Sequence, residues 1–392
     1  MVPEGWVAGQ VSDICRLQNG RGFKPEDWDT EGLPIIRIQN LNGSKNFNYF
    51  SGEPEEKWLV EPGQMLFAWA GTKGVSFGPT VWRGETGVLN QHIFKVFQKD
   101  SVDHDWLYLA LRHVTDRVEG KAHGFKATLV HVKKSDIEQQ PVAIPPLPEQ
   151  KKIAEILSTW DRAIETAEAL LATARTQKRA LMQTLLTGKR RFPEFEGQEW
   201  REVRLGDVVE GIKGGGTPDK STASFWNGNL PWVSVKDLKS DWLVRTEDQI
   251  SEEGLMNSAT NAFPVGTVVV ATRMAVGVTV QLGARMAINQ DLKAILPGSN
   301  LRNDYLFYFM QMVRPQIEAL GTGSTVKGVT LGDLRRLEMW LPKSLDEQDK
   351  IVNALRDIGA EIDGMETQLQ HLRSEKKALM QQLLTGKRRV KA

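Results

Sequence analysis

The sequence predicts an α+β protein with two homologous globular α/β domains separated by two long α-helices, which form an antiparallel coiled coil with pseudo-two-fold symmetry. Three observations lead to this prediction: a repeat that spans the chain, a helical apolar pattern inside the repeat, and strand-like segments between its copies. The repeat comes first, because Lys178–Arg191 (KRALMQTLLTGKRR) returns as Lys376–Arg389 (KKALMQQLLTGKRR) in the 392-residue chain. A repeat of this length indicates a duplicated protein.

The repeat divides the chain into four segments. Glu149-Gln150 returns as Glu347-Gln348, at the same offset as the helix ends, and LPIIRIQNL aligns with LPWVSVKDL upstream. The predicted segments are a first globular domain at 1–147, a first spacer helix at 148–191, a second globular domain at 192–345 and a second spacer helix at 346–392.

Each predicted spacer helix carries an apolar stripe whose spacing alternates between four and three residues, the pattern of a coiled coil. Pro148 suits a first helical turn, and Gly188 and Gly386 suit C-terminal caps. Lys178 and Lys376 interrupt the two stripes at the same place. The stripe residues are Ile153, Leu157, Trp160, Ile164, Ala167, Leu171, Ala174, Leu181 and Leu185 in the first copy, and Ile351, Leu355, Ile358, Ile362, Met365, Leu369, Leu372, Leu379 and Leu383 in the second.

Two partners can cover this stripe: the helix's own domain or the other copy of the helix. The copies share one register and one length, which favours packing against each other. Because the first helix leaves the first domain and arrives at the second, the second helix must run back, so the pair is predicted to be antiparallel.

Within each domain the sequence predicts mixed secondary structure. Ile36 and Ile38 alternate with polar neighbours, as do Val233 and Val235, which is typical of half-buried strands. MLFAWA and TVVVAT predict buried strands that lead into glycine-containing loops. DWLYLALRHV and DYLFYFMQMV predict short helices. The many loops make such a domain a suitable carrier for a variable binding surface.

Composition excludes several classes of protein. No run of about 18 apolar residues is present, so no membrane span is predicted. The N-terminal MVPEGWVAGQVSD lacks the charged and apolar blocks of a signal peptide. Cys15 is the only cysteine, which excludes an internal disulfide and a multi-cysteine zinc site. We therefore expect a cytoplasmic protein. The net charge of +1 does not indicate nucleic-acid binding, which must rest on local patches.

A search for catalytic motifs finds none. The GK of TGKRR lacks the upstream glycine and the following Ser or Thr of a phosphate loop. GIKGGGTPDK is glycine-rich. It could be a cofactor loop or a mobile surface loop, and the surface loop is favoured. The histidines lack the spacing of metal ligands. We expect no catalytic residue, no metal and no bound cofactor in this chain.

The two domains share an apolar framework but differ at polar positions. On the outward face of one predicted strand, Arg37 and Gln39 stand where the second domain has Ser234 and Lys236. The next loop reads WAGTK in one domain and TRMAV in the other. Such side chains hydrogen-bond to base edges and phosphates, so the pattern favours two readers of different DNA sequences. Ordinary drift after duplication is the alternative. The TGKRR tails are candidate phosphate contacts or a partner site, or simply solvated helix ends.

With these motifs the whole chain resembles the specificity subunit of type I restriction–modification enzymes. The pieces that carry the resemblance are PPLPEQKKIAEIL running into a long helix, the LMQTLLTGKRR ending, and GGTPDKSTASFWNGNLPWVSVKDL in the second domain. In the first domain Gly20–Pro25 (GRGFKP) replaces the GGTP loop, so its DNA contacts are less defined.

The resemblance implies that each globular domain is a target recognition domain and each long helix a spacer. It implies a subunit without catalysis of its own that binds double-stranded DNA and holds two modification subunits, which methylate adenine with S-adenosylmethionine. Motor-nuclease (restriction) subunits would add cleavage that requires ATP and Mg. No membrane partner is implied.

The predicted DNA target is bipartite and asymmetric, because two different readers sit at a fixed spacing on one chain. A coiled-coil adaptor without DNA specificity is the alternative, and salt-sensitive binding to duplex DNA distinguishes the two. Asn90, Gln91, Asn289 and Gln290 are common to both domains and are predicted to be structural or to contact the DNA backbone. The predicted DNA contacts are Arg37, Gln39, Thr72, Lys73 and Lys126 in the first domain, and Lys213, Thr217, Ser234, Lys236, Arg273 and Lys327 in the second.

Overall fold

The chain divides into two compact units in the structure, a computed structural model that describes residues 2–121, 129–321 and 328–391. Unit one comprises residues 1–168 and 367–392, and unit two comprises residues 169–366. Each unit therefore contains one globular domain, the first part of one long helix and the last part of the other.

Unit one is an α+β domain with a four-stranded antiparallel sheet, a second, mixed four-stranded sheet and two short ribbons. Its strands are β1 (Val7–Gln10), β2 (Cys15–Asn19), β3 (Leu33–Ile36), β4 (Tyr49–Phe50), β5 (Leu59–Val60), β6 (Met65–Ala68), β7 (Ala70–Thr72), β8 (Gly78–Val81), β9 (Gly87–Leu89), β10 (Ile93–Gln98), β11 (Leu129–His131) and β12 (Pro141–Ile144). Its helices are α1 (Val11–Ile14), α2 (Ile38–Leu41), α3 (His104–Lys121), α4 (Lys134–Glu138) and the start of α5 (Leu147–Leu185).

Unit two repeats this arrangement. Its strands are β13 (Trp200–Arg204), β14 (Val209–Gly214), β15 (Leu230–Val233), β16 (Trp242–Leu243), β17 (Asp248–Ile250), β18 (Asn261–Phe263), β19 (Val268–Ala271), β20 (Thr279–Leu282), β21 (Met286–Ile288), β22 (Leu292–Pro297) and β23 (Glu338–Pro342). Its helices are α6 (Leu205–Val208), α7 (Glu252–Met256), α8 (Asn303–Met312), α9 (Arg314–Leu320), α10 (Leu331–Arg335) and the start of α11 (Leu345–Leu384).

The two units have the same sheet topology. The first sheet has the order β2-β10-β6-β8 in unit one and β14-β22-β19-β20 in unit two, where β16 adds a fifth strand. In the second sheet β3 pairs in parallel with β9, and β15 pairs in parallel with β21. The β1–β12 ribbon of unit one corresponds to the β13–β23 ribbon of unit two. This equivalence confirms the duplication.

The buried strands and helices are where the apolar patterns place them. Every residue of β6 and of β19 is buried, as MLFA and VVVA predict for strands inside a sheet. The segments DWLYLALRHV and DYLFYFMQMV are helical in α3 and α8. α3 extends to Lys121 and is longer than predicted, at 18 residues.

One predicted strand ends earlier than its alternating pattern indicates. β3 stops at Ile36 and β15 at Val233, and short helical turns follow. The Asn40 side chain accepts a hydrogen bond from the Arg37 backbone N–H at 2.9 Å, and Asp237 does the same for Ser234 at 2.8 Å. These local bonds compete with the sheet ladder for the backbone groups. The prediction that these positions lie on a strand was therefore wrong.

The apolar stripe of the long helices is buried or half-buried at every predicted position. Near its start α5 packs on its own domain, since Ile153 and Leu157 belong to the unit-one core together with Leu383 from α11. Farther along, helix contacts helix: Arg373 pairs with Glu168 at 2.6 Å, and Lys376 pairs with Asp161. Moving forward along one helix means moving back along the other, so the helices are antiparallel in unit one. The stripe therefore packs on its own domain near the start of α5 and on the other helix farther along, as the two alternatives predicted.

Unit two has the same antiparallel helix pairing. Arg175 pairs with Glu366 at 2.6 Å, as the equivalent residues do in unit one. Lys178, which interrupts the stripe in unit two, has different surroundings from Lys376 in unit one. Lys376 pairs with Asp161, but the equivalent position in unit two is Gly359. Lys178 instead places its Nζ 5.9 Å from the centroid of the Tyr308 ring. Neither Gly359 nor Gly364 interrupts α11. Within the described ranges no helix is long and apolar enough to cross a membrane.

Candidate nucleic-acid interface

A short turn between the two sheets organises the polar loops of each unit. We call it the Asn-Gln turn; it comprises residues 90–92 in unit one and 289–291 in unit two. In unit two the Asn289 side chain accepts a hydrogen bond from the Asp291 N–H at 3.0 Å, and its backbone N–H donates to the Val233 carbonyl at 2.9 Å. In unit one Asn90 bonds in the same way to His92 and Ile36. The asparagines therefore hold the turn, in agreement with their predicted structural role.

In unit two this turn collects two of the predicted DNA contacts. The Thr217 hydroxyl donates to Gln290 Oε1 at 2.6 Å, which fixes the glycine-rich loop at the turn. Thr272 donates its N–H and its hydroxyl to the Asp291 carbonyl, at 2.8 and 3.0 Å. The guanidinium of Arg273, the next residue, lies 3.6 Å from the Asp291 carboxylate and is half exposed. Thr217 and Arg273 thus converge on one small surface.

Two lysines lie on the strands beside this turn. Gly214 of β14 pairs with Lys293 of β22, and the exposed Lys213 pairs with Ala294, so the two lysine side chains lie on opposite faces of the sheet. The Lys293 ammonium donates to the Gln290 carbonyl at 2.6 Å, and burial lowers its pKa. Lys213 is exposed on β14, which is an edge strand of this sheet.

Ser234 and Lys236 follow β15 and are bonded locally. Ser234 is only 8% exposed, and its hydroxyl donates to Asp237 at 2.8 Å. The Lys236 ammonium pairs with Asp248 at 2.8 Å and with Glu247 at 3.2 Å. Its hydrogen bond to Asp248 raises the pKa of Lys236. Both side chains therefore already have partners within unit two.

In unit one Arg37 lies beside the Asn-Gln turn, because the Asn90 N–H donates to the carbonyl of Ile36. Its guanidinium lies 4.5 Å from the centroid of the Trp28 ring. One terminal nitrogen, Nη2, is buried and has no hydrogen-bond partner among the residues that the structure describes. Gln39 is exposed and donates to the Asn46 carbonyl at 3.2 Å.

Thr72 and Lys73 lie at the end of β7. The Lys73 ammonium donates to the carbonyl of Glu119 in α3 at 2.9 Å, and the Thr72 N–H donates to Ser76 Oγ at 2.8 Å. Their loop is thereby tied to the last turns of α3. The remaining predicted contacts, Lys126 and Lys327, lie outside the described residues.

The glycines of GIKGGGTPDK permit close packing of backbone. A Cβ at Gly215 would overlap the carbonyl oxygen of Ile288, and Gly216 donates its N–H to that oxygen at 3.1 Å. Residues 211–214 belong to β14 and the next two pack against β21, so the interpretation as a surface loop was wrong for this part of the segment. Gly20 has the equivalent place in unit one, where a Cβ would overlap the Leu89 carbonyl oxygen. The GRGFKP sequence therefore meets the same backbone constraint as the GGTP loop.

Two aromatic clusters near the unit-one turn were not among the predicted sites. The Trp69 ring lies 5.3 Å from that of His92 and 4.8 Å from that of His131, and its Nε1–H donates to the Gln91 carbonyl at 2.9 Å. The Arg21 guanidinium lies 5.0 to 5.2 Å from three aromatic rings, those of Phe23, Phe50 and Trp58. In the sequence, the first cluster was indicated only by Trp69 of WAGTK, which replaces the threonine of the other domain.

The repeated Glu-Gln pair has a structural role at the start of each long helix. In unit two the Glu347 carboxylate accepts hydrogen bonds from Arg191 at 2.8 and 2.9 Å and from the Trp200 ring at 3.1 Å. The Arg191 guanidinium also lies 5.6 Å from the Trp200 ring centroid. Gln348 accepts from the Arg302 N–H at 2.9 Å and donates to the Asn300 carbonyl at 2.9 Å.

Unit one contains the same arrangement, with Glu149 bonded to Arg389 at 3.1 Å and to Trp6 at 3.0 Å. The pKa of Glu149 is lowered, mainly by the hydrogen bond from Arg389. We call each set, Glu149–Trp6–Arg389 and Glu347–Trp200–Arg191, a Glu–Trp–Arg clamp. The final arginine of each TGKRR tail is thus a structural residue. The other cations of the two tails, Lys189, Arg190, Lys387 and Arg388, are exposed.

Comparison with known protein families matches this duplicated architecture. The family model of the type I restriction modification DNA specificity domain matches residues 3–174 and again residues 197–374. Each match contains one globular domain and most of the long helix that follows it. The chain belongs to this family. Its two copies of the specificity domain confirm the resemblance given by the helix and GGTP motifs.

Relatives among curated proteins are specificity subunits. The chain is 24% identical over 417 residues to the type I restriction enzyme MjaVIII specificity subunit of Methanocaldococcus jannaschii, covering 100% of this chain and 94% of that protein. It is 29% identical over 228 residues to the EcoR124I/EcoR124II specificity subunit of Escherichia coli, covering 55% of this chain and 54% of that protein.

Solved structures support the fold of these specificity domains. A chain from a structure of a type I R-M system superimposes with a TM-score of 0.67 at 19% identity, covering 98% of each chain. The S subunit of the M. genitalium type I restriction-modification system superimposes with a TM-score of 0.54 at 16% identity, covering 98% of this chain and 96% of that one. Among the described residues of this chain, no group of three or more His, Cys, Asp or Glu could hold a metal ion.

Proposed function

We propose that this chain is the sequence-specific DNA-binding specificity subunit of a type I restriction–modification complex. The observation that carries the proposal is the Asn-Gln turn of unit two, where Thr217 bonds to Gln290 and the half-exposed Arg273 lies beside Asp291. Arginine and lysine donate to guanine O6 and N7 in the major groove, and threonine bonds to bases or phosphates. A rigid turn that presents these donors suits the reading of a short DNA sequence.

We propose further that the target is bipartite and asymmetric. Each unit has its own Asn-Gln turn, held by an equivalent asparagine. The side chains around the turns differ, with Arg37 and Trp69 in unit one but Ser234 and Thr272 in unit two. A shared framework with different donors is what two readers of different sequences require. One chain that carries both readers would bind far more tightly than either reader alone.

The exposed cations support binding to the DNA backbone. Arg273 is half exposed at the unit-two turn, and Lys213 is exposed on β14. Phosphate neutralisation releases counterions, so the affinity of such a site falls steeply with salt concentration. Lys189, Arg190, Lys387 and Arg388 of the tails are candidates for further phosphate contacts or for a protein partner.

Catalysis is assigned to the partners. We propose that this chain binds two modification subunits, which bind S-adenosylmethionine and methylate adenine, and restriction subunits, which use ATP and Mg. Modification of a base inside a duplex requires that the base be flipped out of the stack. The part of this chain is to hold the two sequences in place while its partners act on them.

Mapping of methylated adenines tests the proposal. Genomic DNA from cells that carry this chain and its modification partner should show one split, asymmetric motif with a modified adenine in each part. Exchange of residues 192–345 for those of a relative should change only one part of the motif. A motif that does not depend on this chain would contradict the proposal.

A point substitution provides a sharper test. Arg273→Ala should weaken binding to the cognate duplex by about 1–3 kcal/mol and relax selectivity within one part of the target. Arg285→Ala is the matched control, because Arg285 is an exposed arginine of unit two that pairs with Glu252 away from the turn. Equal effects of the two substitutions would show that Arg273 contributes only charge. Duplex binding that does not change with salt concentration would favour the coiled-coil adaptor.

A further inference from the structure

Met274 has an unusual backbone conformation in the loop between β19 and β20. Its φ is 64°, and among the residues that the structure describes it is the only non-glycine residue with a positive φ. An L-residue is strained in this region because its Cβ approaches the following carbonyl oxygen. The side chain gains no compensating burial, since Met274 is 72% exposed. Neither conformational preference nor packing explains a methionine here.

The surrounding loop holds this conformation. Thr272 is fixed by Asp291 of the Asn-Gln turn and accepts a hydrogen bond from the Val329 N–H at 2.9 Å. Across the loop, the Gly277 N–H donates to the Ala271 carbonyl at 2.9 Å. Strained residues persist where their surroundings determine the backbone in this way, and they concentrate at binding sites. The loop therefore presents Met274 outward in a fixed position.

The corresponding residue of unit one is a glycine, Gly71. Gly71 lies three residues before Gly74, as Met274 lies three residues before Gly277. A Cβ at Gly71 would lie 2.5 Å from Ser76 Oγ, so the unit-one loop excludes a side chain where unit two displays one. Met274 therefore distinguishes the surface of unit two from that of unit one.

We infer that Met274 is a specificity-determining residue that contacts the 5-methyl group of a thymine in the part of the target that unit two reads. This rests on the proposed function. Met274 offers an apolar side chain without a strong hydrogen-bonding group, and its neighbour Arg273 supplies hydrogen-bond donors. At base edges in the major groove the thymine methyl is the apolar group that side chains recognise. Arg273 and Met274, side by side, therefore suit a base that accepts hydrogen bonds and a thymine.

Replacement of thymine by deoxyuridine removes this methyl group and leaves base pairing intact. The experiment measures binding of the complete complex to duplexes in which each thymine of the unit-two part is replaced in turn. One replacement should weaken binding by the wild-type complex about fourfold, the value of one buried methyl or methylene group. Met274→Ala and Met274→Gly should bind the thymine and deoxyuridine duplexes equally at that position.

Met256→Ala is the matched control, because Met256 is an exposed methionine of unit two on α7. This variant should keep the fourfold preference. Deoxyuridine in the unit-one part should affect wild type and Met274→Ala alike. Met274→Gly removes the side chain together with the backbone strain, so a folding defect of the alanine variant would not obscure the result.

The outcomes separate the inference from the proposed function. A wild-type complex without sequence-specific binding contradicts the proposed function itself. Sequence-specific binding overturns the inference alone in three cases: the unit-two part contains no thymine, no replacement weakens binding, or Met274→Ala keeps the wild-type preference.

Discussion

Glu347→Gln should destabilise unit two strongly. The Glu347 side chain is 1% exposed and that of Arg191 is 17% exposed, so removal of the charge leaves a guanidinium in a largely dry site. Removal of one partner from a buried ion pair costs about 3–5 kcal/mol. Glutamine keeps the shape of glutamate and one acceptor oxygen, and Arg191 still donates to the Gln198 carbonyl. We therefore expect a loss of about 2–3 kcal/mol in the free energy of unfolding.

Glu149→Gln is the matched comparison in the clamp of unit one. The Arg389 side chain is 41% exposed there and can recover solvation when the charge is lost, and that of Glu149 is 10% exposed. A loss of about 1 kcal/mol is expected, the usual value of a partly exposed hydrogen bond. The clamps share their chemistry and differ in exposure, so the difference between the two variants measures the effect of burial.

Amide hydrogen exchange on the full-length chain localises the effect. Glu347→Gln should speed exchange about 30- to 140-fold in the β13–β23 ribbon and the first turns of α11, at 1.4 kcal/mol for each factor of ten. Protection of the β1–β12 ribbon should stay unchanged. In a double-mutant cycle, Arg191→Met should cost little once Glu347→Gln is present. The reasoning is refuted if Glu347→Gln costs no more than Glu149→Gln, or if exchange rises equally in both ribbons.

Three further predictions concern acid stability, the glycine-rich loop and the strained methionine. Arg389 holds the pKa of Glu149 below its usual value. This contact therefore stabilises the chain fully above about pH 5, and the stabilisation is lost as the pH falls through the lowered pKa. Urea titrations should show the stabilities of wild type and Glu149→Gln converging on acidification, and a constant difference would exclude the linkage. Gly215→Ala should cost more than about 3 kcal/mol because its Cβ meets backbone, whereas Gly211→Ala, which meets nothing within 4 Å, should stay within about 0.5 kcal/mol in the same measurement. Met274→Gly should relieve the backbone strain, and the greater freedom of glycine in the unfolded chain offsets part of this gain. The net result should be a stabilisation of unit two by about 0.5–1 kcal/mol. A lower melting temperature would show that the methionine side chain supports the loop.

Patterns that repeat along the chain were sufficient to predict the architecture. The apolar stripe depends only on helical periodicity, and each of its positions is buried or half-buried. The strands MLFA and VVVA are identifiable because a strand inside a sheet is apolar on both faces. The duplication predicted the second domain from the first, including the caps at Gly188 and Gly386, which adopt positive φ values of 69° and 72°.

Features that depend on individual hydrogen bonds could not be predicted in the same way. Ser234 has the alternation of a strand residue, but a carboxylate three residues later accepts its N–H and ends the strand. Glu149 suits the helix N-terminus by charge alone, and nothing local indicates that Arg389 would reach it from the other end of the chain. The strain at Met274 arises from a loop conformation fixed by Asp291. A local hydrogen bond decided the outcome at Ser234, and hydrogen bonds between distant residues decided it at Glu149 and Met274.

The division of the chain between the units has a consequence for the order of folding. Unit two is one continuous segment, 169–366, whereas unit one needs residues 367–391 to complete its core, where Met380, Leu383 and Leu384 are buried. Domains usually fold from the N-terminus onward during synthesis. Here the first domain to leave the ribosome must wait for the last helix turns, with apolar surface uncovered until then. A chain truncated after residue 366 should therefore protect unit two from proteolysis while unit one remains sensitive.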